Sequence, residues 1–430
     1  MATRDQSPPG DFLKALFAAA LAAAEPRRAL AGHIPPAVKG RTLLVGAGKA
    51  AAAMAHAFEA LWPGPLEGVV LTRYGHALPC DRIDILEASH PVPDAAGERA
   101  ARRILDLAHG LGRDDQLVFL VSGGGSALLA LPAPGLTLAD KQAVTRALLR
   151  SGATIGEINT VRKHLSAIKG GRLAAAAAPA RVVTLAISDV PGDDPGVIAS
   201  GPTVPDPTTF AAARAVLAKY GIDEPTAVVA HLAAAVDETP KPGNPLFERA
   251  RFELIASPQD SLKAGAAEAL RRNVTPIVLS DRIEGEARDV ALVHAAIARQ
   301  LRAGEFRVGD RTVQLPAVLL SGGETSVTVK GKGRGGRNAE FLLALTVALD
   351  GADGISALAC DTDGIDGTED NAGAISSPDS IARAAKSGIS ATAALADNDG
   401  YGFFAALGDL VTTGPTLTNV NDFRAILVTA

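Results

Sequence analysis

Short, largely apolar runs alternate with segments of helical spacing along the first half of the chain. Strands are predicted at 41–45, 68–72, 84–87, 117–121 and 182–187, and helices at 50–61, 95–107, 137–151 and 158–173. Asn159 is a candidate N-cap for the last of these helices. Apolar strands that alternate with helices are typical of a parallel sheet covered on both faces. The pattern therefore predicts an α/β fold.

A second series of the same kind follows the polar, proline-rich segment 237–245, which we interpret as a linker. Its predicted strands are 252–256, 275–279, 317–320, 325–329, 355–359 and 425–428, and its predicted helices are 261–271, 285–303 and 339–349. The sequence thus predicts two α/β domains, 1–240 and 241–430.

Composition and charge narrow the classes of protein to consider. The apolar segment 12–24 contains Lys14 and is too short to span a membrane, so it is predicted to be an amphipathic first helix. The residues before it, which include Asp5, do not resemble the start of a signal peptide. Two cysteines, Cys80 and Cys360, indicate a reducing compartment. We therefore expect a cytoplasmic protein, and a net charge of -5 with 4% aromatic residues disfavours binding to nucleic acid.

Two glycine-rich turns follow predicted strands in the first half. Gly46 and Gly48 belong to a G-x-G-x-x-A pattern, the context of a dinucleotide-binding turn. The next strand ends at Arg73 without an acidic residue for a ribose hydroxyl, which disfavours NAD but leaves NADP open. Lys49 lies inside the turn, where its ammonium group would reach a phosphate or carboxylate. A second turn, predicted to present backbone amides to phosphate oxygens, consists of Ser122, Gly123, Gly124, Gly125 and Ser126.

A basic, glycine-rich segment, residues 321–340, dominates the second half. It repeats the strand-then-SGG pattern and then places Lys330, Lys332, Arg334 and Arg337 within eight residues. Asn338 is predicted to cap the helix that follows. Glycine amides, guanidinium groups and a helix start together indicate an anion site, although a solvated loop is the alternative. The residues predicted to bind phosphate or carboxylate through their backbone are Ser321, Gly322, Gly323, Glu324 and Thr325.

Aspartates cluster at the ends of predicted strands in both halves. Asp189 and Asp193 follow the strand 182–187, and Asp361 and Asp363 follow the strand 355–359, with Asp366 close by. Carboxylates in that position suit Mg²⁺, which is usually shared with substrate phosphates, although turns and caps also favour aspartate. Glycine-rich turns, cations and aspartates at strand ends are the mixture that phosphoryl transfer requires.

Eight segments together resemble the class II glycerate kinases, a family also often labelled hydroxypyruvate reductase. They are GAGKA from 46, SHPVPD from 89, SGGGSALL from 122, INTVRKHLSAIKGGRLA from 158, SDVPGDDPGVIASGPTVPDPTT from 188, SGGETSVTVKGKGRGGRNAEF from 321, DTDGIDG from 361 and GDLVTTGPTLTNVNDF from 408. The only difference from the common family wording in the second half lies near Asp397–Asp399.

This resemblance implies an N-terminal Rossmann-like parallel-sheet domain, a C-terminal α/β domain with a mixed sheet, and an active site in the cleft between them. It implies ATP-dependent phosphorylation of D-glycerate with Mg²⁺, on the 2-hydroxyl. The family's essential lysine corresponds to Lys49 and its essential arginine to Arg337. Asp189 or Asp193 is the candidate base or metal ligand, with Asp361 and Asp363 as the second choice. The candidate phosphate- and substrate-binding set is completed by Gly46, Gly48, Arg162, Lys163, Arg334 and Asn338.

Three other readings remain open from the residues themselves. An NAD(P)H-dependent hydroxypyruvate reductase fits the first glycine-rich turn, and a non-catalytic sensor of sugar phosphates fits the second. An RNA-binding protein would use the basic segment, but an isoelectric point near 5.9 disfavours it. The oligomeric state, including a homodimer, is not determined by the sequence.

Overall fold

The computed structural model describes residues 8–430, so the expectation about Asp5 and its neighbours lies outside the described residues. The chain forms two compact units. Residues 26–255 form the parallel-sheet unit, and residues 256–430 form the mixed-sheet unit together with helix α1 (Pro9–Ala23). This division differs from the boundary at 240, because a strand that the sequence assigns to the second series completes the first sheet.

The parallel-sheet unit is built on six strands. They are β1 (Thr42–Ala47), β2 (Glu67–Arg73), β3 (Ile83–Ala88), β4 (Gln116–Val121), β5 (Arg181–Ile187) and β6 (Ala250–Ala256). Their order is β3-β2-β1-β4-β5-β6, and β1 to β5 run parallel. Every residue of β1 and β4 is buried, as expected for central strands covered on both faces. The predicted parallel sheet is therefore confirmed, in the strand order of doubly wound folds.

Helices connect these strands and cover the sheet. They are α2 (Pro26–Leu30), α3 (Ala51–Leu61), α4 (Ala95–His109), α5 (Gly125–Leu128), α6 (Leu138–Arg150), α7 (Ile155–His164), α8 (Arg172–Ala177), α9 (Phe210–Lys219) and α10 (Thr226–Ala234). The prediction of one helix at 158–173 capped by Asn159 is wrong. Thr154 and Glu157 form a capping box that starts α7 earlier, and left-handed Gly170 and Gly171 separate it from α8.

The mixed-sheet unit has a six-stranded sheet and two small ribbons. Its strands are β7 (Thr275–Ser280), β8 (Gly285–Glu286), β9 (Arg307–Val308), β10 (Arg311–Thr312), β11 (Ala317–Gly323), β12 (Thr325–Ser326), β13 (Ile355–Asp361), β14 (Gly373–Ser376), β15 (Leu410–Val411) and β16 (Asp422–Val428). The main order is β15-β14-β13-β16-β11-β7, in which β7 and β11 are parallel and the other pairs antiparallel. The predicted mixed sheet is confirmed.

Six helices complete this unit. They are α11 (Pro258–Arg271), α12 (Ala287–Arg302), α13 (Arg337–Leu349), α14 (Ser380–Lys386), α15 (Ala391–Ala396) and α16 (Gly400–Leu407). Two local predictions differ from the structure. The strand predicted at 325–329 is limited to β12, and the helix predicted from 285 begins at Ala287 because Gly285 and Glu286 pair with β12.

Helix α1 packs on the mixed sheet, although it is far from that sheet in sequence. Its apolar face, which includes Leu13, Leu16 and Phe17, is buried against residues of α11, β11, β13 and β16. The rings of Phe17 and Phe423 are 5.9 Å apart. The predicted amphipathic helix is thus confirmed, and no helix in the described part of the chain has the length and apolar character needed to cross a membrane.

Candidate active site

Three predicted segments lie at one edge of the parallel sheet. The strand order reverses between β1 and β4, and ligands of open α/β sheets bind at that point, beyond the carboxyl ends of the strands. Gly48 and Lys49 follow β1, Ser122 follows β4, and Ser188 and Asp189 follow the neighbouring β5. The fold therefore brings the predicted lysine turn, amide turn and aspartate to the ends of three adjacent strands.

Hydrogen bonds join the two glycine-rich turns. The amide of Lys49 donates to the carbonyl of Gly123 at 2.8 Å, and the amide of Ala50 donates to Ser122 Oγ at 2.9 Å. Gly48 has φ +144°, and a Cβ there would lie 2.2 Å from Ser122 Oγ, so only glycine fits this approach. Gly46 lies within β1 itself. Ser122 is buried and holds the turns together, which does not suit a nucleophile.

Lys49 crosses the amide turn beside a histidine. A Cβ on Gly124, whose φ is +81°, would lie 3.4 Å from Lys49 Cγ and 3.0 Å from the His90 ring. Lys49 is half-buried, and so is His90. The glycine thus lets the lysine stem and the imidazole approach the turn closely. His90 lies within the SHPVPD segment, but sequence reasoning assigned it no role.

The other predicted residues of this unit have different surroundings. Lys163 is buried, and its ammonium group donates to Asp206 at 3.2 Å. Arg162 lines a separate cavity. Asp189 is half-buried, and Asp193 adopts a left-handed turn with φ +57° in which its amide donates to the carbonyl of Val190. Lys163 therefore has a structural partner in this unit.

Arg337, the first residue of α13, is held by three carboxylates. Its Nε donates to Asp422 at 2.8 Å, its Nη1 to Glu324 at 2.8 Å, and its Nη2 to Asp361 at 3.0 Å. Burial by itself would lower the pKa of Arg337, but Asp422, Asp361 and Glu324 raise this pKa well above its ordinary value. The guanidinium is therefore permanently charged.

A second arginine supports this arrangement from within β16. Arg424 is fully buried, donates to Asp422 Oδ2 at 2.5 Å and lies 5.1 Å from the centre of the Phe341 ring. Asp422 is thus bound from both sides, by Arg337 at one oxygen and by Arg424 at the other. An ion pair that is buried in this way fixes the position of Arg337 more than it contributes net stability.

The basic segment does not present its amides freely to a ligand. The amides of Lys330 and Gly331 donate to Asn398 Oδ1 at 2.8 and 3.0 Å, and the amide of Lys332 donates to Asp397 Oδ1 at 2.9 Å. Arg334 stacks on Tyr401, 4.7 Å from the ring centre. We call residues 397–399 the acidic clamp. The segment for which the sequence indicated no role therefore holds the basic loop in place.

The prediction that Asn338 caps the following helix is wrong. Asn338 lies inside α13, and its side chain donates to Asp422 Oδ1 at 2.8 Å. Asp366 caps the helix instead, accepting from the amides of Asn338 and Ala339 at 3.0 and 2.8 Å. Burial raises the pKa of Asp366 to about 6, although these two amides lower it. A distant carboxylate can satisfy the same amides as a local cap.

The second SGG segment differs from the first. Ser321, Gly322 and Gly323 are paired residues of β11, opposite 424, 423 and 422 of β16. Ser321 is buried, and its Oγ lies 3.0 Å from His294 Nε2. Thr325 and Glu324 follow at the end of the strand, where a cavity of about 270 Å³ opens beside Arg337 and Asp361. The volume of this cavity is sufficient for a small anion.

Asp361 and Asp363 have the hard oxygen atoms that Mg²⁺ takes. Both are buried, and Asp361 accepts from Arg337 at one oxygen and from the amide of Asp363 at the other. Within residues 8–430, no group of three or more histidine, cysteine or acidic side chains is arranged to hold a metal ion. One or two carboxylates suffice for a magnesium ion that substrate phosphates also hold. The donor set therefore fits Mg²⁺ that is shared with a phosphate ligand.

Sequence reasoning missed several residues of this site. Asn421, Asp422 and Arg424 bind or support Arg337, but they lie some 85 residues beyond it in the chain. The polar residues Asn419, Asn421 and Asp422, which lead into the last strand, were a sequence signal of function. Arg424 could be found only as a charged residue among the otherwise apolar residues 423–428.

A doubly wound sheet with a lysine and glycine-rich turns at its switch point is typical of α/β proteins that bind phosphorylated ligands. Two family models match the chain: a domain of unknown function (DUF4147) at residues 12–233, and the MOFRL family at residues 317–422. A D-glycerate 2-kinase of Thermotoga maritima is 42% identical over 92% of this chain and 93% of its own length. The chain belongs to the class II glycerate kinase family.

Two further comparisons agree with this assignment. A crystal structure of a glycerate kinase from Thermotoga maritima superposes with a TM-score of 0.87 at 39% identity, covering 98% of this chain and 99% of that one. A protein of Agrobacterium vitis, provisionally named a hydroxypyruvate reductase, is 56% identical over 97% of this chain and 94% of its own length. The family thus carries two different activity names.

Proposed function

We propose that this protein is an ATP-dependent kinase that phosphorylates D-glycerate on its 2-hydroxyl, giving 2-phosphoglycerate and ADP. The observation that carries the proposal is full-length similarity to D-glycerate 2-kinase, together with the superposition on a glycerate kinase at a TM-score of 0.87. The lysine and glycine-rich turns at the switch point of the parallel sheet support it, because phosphoryl transfer depends on positioned cations and amides. We further propose a cytoplasmic enzyme, in keeping with two free cysteines.

The proposed roles follow from charge and position. Lys49 neutralises charge on the transferring phosphoryl group, and Asp189 accepts the proton of the glycerate hydroxyl. Arg337, positioned by Asp361 and Asp422, holds a phosphate or the glycerate carboxylate. Asp361 and Asp363, or Asp193, would hold Mg²⁺, which when bound shields the negative charge of the nucleotide phosphates. Lys49 and Arg337 lie in different units, so their joint action stays a prediction.

One assay separates the two activity names. We expect ADP release that depends on D-glycerate, with 2-phosphoglycerate identified by NMR, and no oxidation of NADH or NADPH in the presence of hydroxypyruvate. The similarity to D-glycerate 2-kinase supports this outcome. The end of β2 at Arg73, without an acidic residue for a ribose hydroxyl, disfavours NADH, and the NADPH assay tests the alternative that Arg73 leaves open. Hydroxypyruvate-dependent loss of absorbance at 340 nm without ADP release would instead establish a reductase.

A matched pair of variants tests the role of Lys49. Lys49→Ala removes the cation beside the amide turn, so kcat should fall by about 10²-fold or more. Lys39→Ala, an exposed lysine of the same unit, should keep kcat within about twofold. Circular dichroism and thermal unfolding check that both variants are folded. Near-normal turnover of folded Lys49→Ala would remove Lys49 from the mechanism.

A further inference from the structure

A cavity in the parallel-sheet unit is lined by four basic side chains. It has a volume of about 250 Å³ and lies between α6, α7 and the segment 91–93. Lys141, Arg146, Arg162 and Lys169 line it, and no carboxylate is among the described residues of its wall. Ser126, the last residue of the amide turn, also belongs to this wall. The cavity therefore borders the amide turn, which is hydrogen-bonded to the turn that contains Lys49.

Two of the lysines are buried, at 8% exposure for Lys141 and 2% for Lys169. Each ammonium group has three donors, yet Lys141 donates to the carbonyl of Leu131 at 3.2 Å and Lys169 to the carbonyl of Ser126 at 2.8 Å. Across residues 8–430, no ion pair joins either lysine to an acid. Buried charges are normally paired, because burial without a counter-charge is costly.

The charges in this cavity act on one another. Burial, followed by repulsion from Arg162, lowers the pKa of Lys141 to about 7, while Glu98 raises it. Burial, followed by repulsion from Lys141 and Arg162, lowers the pKa of Lys169 well below its ordinary value. An anion bound among these groups would raise both pKa values again. Binding of a negative ligand in this cavity would therefore be accompanied by uptake of a proton.

We propose that this cavity binds a small phosphate-bearing anion with at least two negative charges. Arg146 and Arg162 are cationic, and Lys141 and Lys169 gain a proton when an anion binds, so the four side chains together exceed what a single carboxylate would neutralise. Arg162 supplies a guanidinium fork that suits phosphate. The cavity is smaller than the roughly 300–1,000 Å³ of sites for drug-sized ligands, so it admits phosphates but not a whole nucleotide. The ligand is a phosphorylated three-carbon acid or the polyphosphate portion of a nucleotide; naming these two sources rests on the proposed function.

Calorimetry on the full-length protein tests the site directly. The probes are 2-phosphoglycerate, tripolyphosphate, inorganic phosphate and D-glycerate, each titrated at pH 7.5. We expect one of the first two to bind at least tenfold more tightly than D-glycerate. Arg162→Gln and Lys141→Met should each weaken that binding by about tenfold or more, whereas Arg150→Gln, an exposed arginine of α6 outside the cavity, should change it less than twofold.

Proton uptake on binding is a readout that Lys141→Met would leave unchanged if Lys141 had only a structural role. Titrations in two buffers of different ionisation enthalpy should show net proton uptake on binding, and Lys141→Met should reduce it. Equal affinity in all variants, or binding without proton uptake, would overturn the proposal. If Lys141→Met does not fold, Arg162→Gln alone decides the question, because Arg162 is only half-buried.

The same preparations separate this inference from the kinase proposal. Glycerate-dependent ADP release by a protein that binds neither 2-phosphoglycerate nor tripolyphosphate in an Arg162-dependent way would overturn the cavity site alone. Arg162-dependent binding without any ADP release would support the site and reject the kinase activity. The probe whose affinity depends on Arg162 identifies which phosphate source occupies the cavity.

Discussion

At the scale of single residues, Arg337 is predicted from the sequence to bind a ligand, yet in the structure its guanidinium group already has three carboxylate partners. Its guanidinium donates to Glu324, Asp361 and Asp422. Asp361 and Asp422 are buried, but the side chain of Glu324 is 53% exposed. A phosphate or carboxylate ligand would therefore replace Glu324 first and leave the two buried aspartates to hold the arginine in place.

Removing Arg337 should destabilise the protein as well as inactivate it. Arg337→Ala removes a cation from buried Asp361 and leaves Asp422 with Arg424 as its remaining arginine, so the free energy of unfolding should fall by about 3–5 kcal/mol. Lys332→Ala, an exposed cation of the same loop, should change it by less than about 0.5 kcal/mol. Urea unfolding measures both. Equal stability of the two variants would show that the carboxylates do not depend on Arg337.

Asp366 should make the free energy of unfolding fall as the pH rises. Its pKa in the folded protein is about 6, above the ordinary 3.8. Between these pH values the folded chain keeps a proton that the unfolded chain has lost, so raising the pH lowers the unfolding free energy, by about 3 kcal/mol at most. Asp366→Asn lacks this component. The free energy of unfolding of Asp366→Asn, measured relative to that of the native protein, should therefore rise from pH 4 to pH 7.

Urea unfolding of the native protein and Asp366→Asn across that pH range measures the difference. The variant also loses one acceptor for the amides of Asn338 and Ala339, which costs about 1–3 kcal/mol at every pH. The constant offset and the pH-dependent part are therefore separable. Parallel stability curves would show that the pKa of Asp366 is not raised.

At the scale of elements, the basic loop is organised by the acidic clamp rather than by a ligand. The amides of residues 330–332 donate to side chains of Asp397 and Asn398, and the amide of Arg334 donates to Asp399. Glycines allow the two segments to touch: a Cβ on Gly331 would lie 2.1 Å from the carbonyl oxygen of Asp397. Glycine is needed in this loop for close packing.

A pair of glycine substitutions tests this packing. Gly331→Ala forces the loop away from residue 397 and should cost about 1–3 kcal/mol, with faster amide exchange in residues 330–336. Gly156→Ala lies in α7, where no atom is within 4 Å of the new methyl group, and should be neutral or stabilising by up to about 1 kcal/mol. Unchanged exchange in Gly331→Ala would mean that the clamp does not hold the loop.

At the scale of the whole molecule, chain order and compact units do not coincide. Helix α1 begins the described chain but packs in the core of the mixed-sheet unit with Val318, Leu320 and Phe423. Strand β6 follows the proline-rich segment, yet it is the edge strand of the parallel sheet. The mixed-sheet unit is therefore assembled from both ends of the sequence.

Phe17→Ala should consequently act on residues far along the chain. Removing this buried ring should cost about 3–5 kcal/mol. Amide protection should fall in β11 and β16 but stay unchanged in β1 and β4. Lys14→Ala, on the exposed face of the same helix, is the control. Hydrogen exchange measured by mass spectrometry resolves the two units, and loss of protection in β1 would contradict the assignment of α1.

Local pattern was enough to predict much of the fold and part of the site. Buried strands such as β1 and β4 are uninterrupted apolar runs, and Gly48 and Ser122 lie where those runs end. In contrast, the caps of α7 and α13 were mispredicted. Thr154 competes with Asn159 for the same role, and Asp366 reaches α13 from a different loop. Capping depends on which acceptor actually approaches the amides, and periodicity carries no information about that.

The sequence by itself determined the α/β class, the parallel and mixed sheets, the glycine-rich turns and the family, because these depend on local periodicity and on long contiguous motifs. Only the tertiary structure decided that Asp361, Asp422 and Glu324 surround Arg337, that the acidic clamp holds the basic loop, and that four basic side chains line one cavity. Those arrangements join residues tens of positions apart, and the distances between their charges exist only once the chain has folded.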